Sequence, residues 1–296
     1  MARLVALQLP HEGRDQKARL RSVSKARKPW RRIVAGAGVN VPLWIAVAAI
    51  AVPYIYLVGA AFESESALLS YPPQIFPTHP STAEFIQLFH QTDFWQWFGN
   101  TAVIAVTVTV LAGLLSSTAA YALAIYEFRG KRIILLLVVG ILAIPQQVFL
   151  IPLYAEIIKM HLLNSDMGAI FPLCFSAFGI FLLRQYMLAV PREVIHAARV
   201  DGASEVRIYR SIVLPMVLPA LGVFAMFTFN LAWNNFVWPL FVFSATNKFT
   251  LPVGLASLIT PDKPEVGLAL AGSFLGSLPT AAVFLWLQRY LKTTLA

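Results

Sequence analysis

Two groups of residues have the types and spacing to do chemistry. The first is a set of carboxamides and indoles in otherwise apolar sequence. Gln146 and Gln147 follow Pro145 directly, and Asn230, Asn234 and Asn235 flank Trp233, with Trp238 close behind. Planar amides hydrogen-bond to sugar hydroxyls and indole faces stack on sugar rings, so these residues are candidates for a solute path. The same residue types also serve as interhelical hydrogen bonds and interfacial aromatics. The second group lies in the polar run PREVIHAARVDGASEVRIYRSIVLP, from Pro191 to Pro215. Pro191 with Glu193 just after it marks a helix start, and Ala197 and Ala198 fall mid-helix. Asp201-Gly202 ends that helix, and a second short one is predicted from about Ala203 to Val213. A small-residue helix followed by a tight turn suits the docking of a partner surface. It suits an amphipathic helix at a membrane interface equally well.

Signatures of catalysis and nucleotide binding are missing. Gly130-Lys131-Arg132 is the nearest approach to a phosphate loop, and it lacks the upstream glycine and the hydroxyl that would hold magnesium. No HExxH, CxxC or GxSxG occurs. His11, His79, His90, His161 and His196 show no metal-ligand spacing, and a single cysteine, Cys174, sits in an apolar segment.

The elements that must position these residues belong in lipid. Of 296 residues 58% are hydrophobic and only 12% are charged, against about 25% charged in a soluble protein. Mean hydropathy is +0.70. A spanning helix needs about 20 mostly apolar residues. Six segments qualify: roughly 39–62, 98–126, 133–158, 167–190, 216–243 and 266–291. Ten Lys and Arg precede the first segment, too long a basic stretch for a secretory signal. That clustering fits a tail against anionic headgroups, with no nucleic acid as partner. With the N-terminus inside, the inner side holds twenty Lys and Arg, among them Arg129, Arg132, Arg184 and Arg207. The outer side keeps Lys159, Lys248 and Lys263. The bias predicts an all-α integral membrane protein with six spans and both termini inside. Residues 1–38 form a basic cytoplasmic tail, residues 39–296 the membrane domain, and residues 191–215 an inner loop between spans four and five. Ala112, Ser116 and Ala120, and Gly272 with Gly276, set small residues at four-residue spacing for close helix packing. Pro145, Pro152, Pro172, Pro239 and Pro279 interrupt spans and free backbone carbonyls.

The inner loop resembles the signature loop of ABC import permeases, whose form is E-A-A, three residues, G, nine residues, I-x-L-P. Here Ala197-Ala198 is followed by three residues and Gly202, and nine more lead to Ile212-Val213-Leu214-Pro215. The stretches Ser176–Gln185, Trp233–Leu240, Thr250–Leu255 and Leu278–Leu291 resemble the carbohydrate-uptake branch, in this order and around that loop. The resemblance implies a permease in a bacterial cytoplasmic membrane that moves a sugar by alternating access and hydrolyses no ATP itself. The chain has no Leu-Ser-Gly-Gly stretch of its own. Implied partners are a second, non-identical permease, two copies of an ATPase subunit that bind ATP and magnesium, and an extracytoplasmic solute-binding protein. Glu193, His196, Ala197, Ala198, Asp201, Gly202, Ile212, Leu214 and Pro215 are then the ATPase-coupling residues.

Two departures stand out. His196 occupies the position of the family's leading glutamate, and Glu193, one turn earlier, is expected to supply the missing charge. The family's usual small-residue tail has no counterpart between Lys292 and Ala296. The alternatives are an ABC permease for a non-sugar solute, an ion-coupled secondary transporter, and a membrane enzyme. An ion-coupled carrier would want intramembrane acids and inverted repeats; Glu156 is the one acid inside the expected spans.

Overall fold

In the computed structural model, residues 29–68, 77, 80–262 and 264–294 are described. Most of the basic tail lies outside them. Among the described residues the regular structure is helical, apart from an isolated antiparallel bridge between Ile259 and Pro264. The chain divides into two compact units, Met1–Ile55 and Tyr56–Ala296. Helix α1 (Pro29–Ala61) makes up the described part of the first and continues into the second, with Pro42 and Pro53 inside it.

The second unit contains α2 (Ala83–Gln91), α3 (Phe94–Ile125), α4 (Lys131–Leu142), α5 (Leu150–Lys159), α6 (Ala177–Met187) and α7 (Arg192–Val200). It continues with α8 (Glu205–Ile208), α9 (Leu218–Trp233), α10 (Val237–Val242), α11 (Leu251–Ser257) and α12 (Val266–Thr294). Three helices are long and apolar enough to cross a membrane alone: α1 over Asn40–Ala61, α3, and α12 over Val266–Gln288. Three further crossings arise only if bent pairs count as one. Lys131–Leu142 turns through 101° into Gln146–Lys159, Asp166–Cys174 through 42° into α6, and Glu205–Met216 through 78° into α9.

The sequence reading placed prolines inside these spans as interruptions without giving an angle, and the bends now supply it. Pro145 has no N–H to donate and disfavours helical backbone at Ile144, so α4 stops and a short 3₁₀ turn, Gln146–Phe149, begins the return. The fifth segment was expected to run to Phe243. Helix α9 ends at Trp233, and Asn235 accepts from the backbone N–H of Trp238 in the first turn of α10. The second helix of the 191–215 loop is irregular too. Ser204 caps α8 by accepting from the Arg207 N–H, then Tyr209–Val213 winds as a π-turn before Leu214–Met216.

Helix α3 is the axis of the second unit. Its first half, with Phe94, Trp97, Ile104 and Val108, lies in one buried cluster with Phe229, Trp233, Trp238 and Leu251. Its second half, with Ala112, Ala120, Tyr121 and Ala124, lies in another with Leu183, Met187, Ile195, Ile208 and Phe224. Ala112, Ser116 and Ala120 are all buried, as their spacing predicts. On α12 the Gly272 and Gly276 positions face Leu255 and Leu251 of α11.

Candidate coupling interface and solute path

Helix α7 is built on its sequence signals. Pro191 stands at the N-cap, Glu193 complements the first turn and Arg199 the last. The Gly202 N–H donates to Arg199 O and the Ala203 N–H to Ala198 O, the paired pattern of a Schellman stop. Gly202 has φ +78°, a conformation that a Cβ would strain. One side of α7 is held: Ile195 is 2% exposed and packs among Ile208, Val213 and Met187. The other side is bare. Glu193, His196, Ala197, Asp201 and Gly202 are exposed, and Val200 is 87% exposed. Ala198 is half-buried. Ile212 and Leu214 are half-buried in the irregular stretch that follows, and Pro215 is exposed.

Glu205 is the residue that sequence reasoning missed. Its Oε1 accepts from Arg199 Nε at 2.8 Å, and its Oε2 accepts from the hydroxyls of Tyr121 at 2.9 Å and Tyr126 at 2.5 Å. Tyr209, next in line, shares a 2.7 Å hydrogen bond with Ser117 of α3. The Arg199 guanidinium also lies over the Tyr126 ring, 5.9 Å from its centre. The Arg199 bond, then the Tyr126 and Tyr121 hydroxyls, pull the Glu205 carboxyl down to about 2 against the opposing effect of burial. The 191–215 loop is thereby tied to the last turn of α3 and to Tyr126 just past it. Arg184 adds a bond from its Nε to Leu123 O. The tyrosine partners lie 84 and 79 residues away in sequence, so no local spacing pointed to them.

The candidate solute residues do not act as one group. Trp233 is 3% exposed; its indole N–H donates to Gly276 O at 2.9 Å, and its ring packs on Phe229 and Phe98. Asn235 is engaged, its Oδ1 accepting from the Trp238 N–H in the first turn of α10. Asn234 is exposed and donates to both the carbonyl and side-chain oxygens of Asn230, also exposed. Gln146 and Gln147 are exposed at the 101° corner. Glu156 lies in the last turns of α5, exposed and paired to Lys159 at 2.7 Å. Glu63 and Glu84 are buried, and Glu84 accepts from the Glu65 N–H at 3.3 Å. Among the described residues no cluster of side chains could hold a metal ion.

At the opposite end of α3 a strap between α10 and α11 is fastened down. Trp97 Nε1 donates to Thr246 O, Asn100 Nδ2 to Asn247 O and Phe249 O, and the Leu251 N–H donates to Thr101 Oγ1. Asn164 holds the strap's start through the Ser244 and Ala245 N–H groups.

An all-helical bundle with bent apolar helix pairs and a bare, anchored loop helix defines a membrane permease. A family model described as binding-protein-dependent transport system inner membrane component matches residues 112–295, and the chain belongs to that family. Two arabinooligosaccharides transport system permease proteins are among its relatives. That of Halalkalibacterium halodurans is 38% identical over 241 residues, covering 80% of this chain and 86% of the other. That of Bacillus subtilis is 38% identical over 197 residues, covering 67% and 70%. The fold is similar to a chain of a bacterial ABC transporter involved in the import of the acidic polysaccharide alginate. The TM-score is 0.76 at 22% identity, over 87% of this chain and 96% of that one.

Proposed function

We propose that this chain is a pore subunit of a sugar-importing ABC transporter, driven by ATPase subunits that seat on α7. The observation that carries the reading is the two-sidedness of α7: Ile195 buried in the permease, and Glu193, His196, Ala197 and Val200 left open. The sequence carries no phosphate-loop motif, and ATP and magnesium are assigned to the partner. Six spans result if the three bent pairs each supply one crossing, the last through α9 beyond its 78° bend, and the Lys and Arg bias sets both termini and the 191–215 loop inside. The protein is then a multi-pass component of a bacterial inner membrane. A second, non-identical permease completes the pore, two ATPase copies drive it, and a solute-binding protein delivers sugar from outside. Family membership and the arabinooligosaccharide relatives support an oligosaccharide as solute. Gln146, Gln147, Asn230 and Asn234 are the exposed amides suited to its hydroxyls; Trp233 is engaged in packing and Asn235 in a backbone hydrogen bond.

The test is uptake in vesicles holding this chain with its partner permease, ATPase and binding protein. ATP-dependent accumulation of oligosaccharide is expected. Ala197→Trp should abolish co-purification of the ATPase, because a large side chain would stand where a partner surface must approach. Uptake that follows an ion gradient and ignores ATP would reject the reading.

A further inference from the structure

The bonds around Glu205 raise the question of how movement of α7 reaches the spans. Along the chain the route from α7 to α9 is poor. It passes the π-turn at Tyr209–Val213 and then the 78° bend into α9. Such irregular turns are common hinges, and a hinge absorbs displacement. A second route bypasses both. Arg199, in the last turn of α7, bonds Glu205, and Glu205 bonds Tyr121 and Tyr126 at the end of α3. Hydrogen bonds to a charged group are the strong kind. Helix α3 then runs 32 residues, about 48 Å, to a far end where Trp97, Asn100 and Thr101 hold the strap 244–251.

We propose that Glu205 is a positioning residue of the transport cycle: it clasps the coupling helix to α3, so that ATPase movement is delivered to α3 and through it to the outer strap. It touches neither nucleotide nor solute. This inference rests on the docking of α7 proposed above. The clasp stays closed through the cycle and works as a rigid joint, while the π-turn and bend accommodate the movement of α9.

The experiment uses the complete reconstituted transporter and reads solute imported per ATP hydrolysed. Glu205→Gln keeps the shape and loses the charge. The complex should assemble and continue to hydrolyse ATP, while the ratio falls roughly fivefold or more. Tyr126→Phe should give a smaller fall. Should Glu205→Gln fail to assemble, a second variant decides. Tyr126→Cys with Glu205→Cys is compared before and after a short bifunctional thiol reagent; Cys174 is buried and does not compete. A covalent clasp should restore the ratio. Loss of uptake and of ATP hydrolysis in proportion, with the ratio unchanged, would overturn the proposal, as would a cross-link that stops transport. The docking of α7 fails separately, if Ala197→Trp retains the ATPase subunit.

Discussion

At the scale of single residues, close approach and charge decide what each position tolerates. Gly254 in α11 lies flat against Trp97: an added methyl would come within 2.2 Å of the indole ring. Gly254→Ala should destabilise the protein by about 1–3 kcal/mol, because a stiff ring must shift in a packed core. Thermal unfolding of the purified protein checks this, with Gly99→Ala as a control, since nothing lies within 4 Å there. Glu205 makes a pH prediction. Its folded carboxyl titrates near 2, below the ordinary value of 4.5, so its stabilising contribution is fully present above about 4.5 and is lost as the pH falls towards 2. The difference in unfolding temperature between the native protein and Glu205→Gln should be constant from neutral pH to about 5 and shrink below that. Its side chain is 43% exposed, so solvent screening keeps that difference small.

At the scale of elements, α7 was legible and its fastening was not. Pro191, Glu193 and Gly202 are local signals, and each does in the structure what its chemistry predicts. Glu205 carries no such signal, because a carboxylate in a polar loop reads as solvated until the fold brings Tyr121 and Tyr126 to it. Apolar length likewise revealed the segments but not their corners. Pro145 announced an interruption, but no local signal gave the 101° angle. Trp233 among asparagines read either as a solute-path candidate or as an interhelical contact, and its indole N–H bonds Gly276 O of α12. The bare face of α7 gives a further prediction. His196→Glu adds a carboxylate at an exposed position that bonds no described residue, so unfolding temperature should not change. Solute imported per ATP should hold or rise as the acid meets a basic partner; a large fall would sink the idea that His196 stands in for that acid.

At the scale of the whole molecule, sidedness is the quantity to measure. The clasped loop lies at one end of α3 and the strap at the other, and a membrane must separate them if α3 crosses it. Val200→Cys is expected to react with a membrane-impermeant thiol reagent only in inside-out vesicles, and Asn247→Cys only in intact cells lacking an outer membrane barrier. Both positions are exposed. Reaction of both from one side would overturn the arrangement of both termini inside. Much of the second unit's apolar surface is also open. Leu136, Ile151, Leu231 and Trp286 are each more than 60% exposed, a surface that lipid and a second permease would share.

The corner at Pro145 sets a depth. Helix α4 has 12 residues, so laid along the membrane normal it rises about 18 Å, little more than half of the roughly 30 Å hydrocarbon layer. Gln146 and Gln147 would then sit near the middle of the bilayer, as far from water on either side as the chain can take them. The length of α4 is therefore a ruler: one added turn would carry both amides about 5 Å further across. A solute resting on them would wait at the level where neither opening has an advantage over the other.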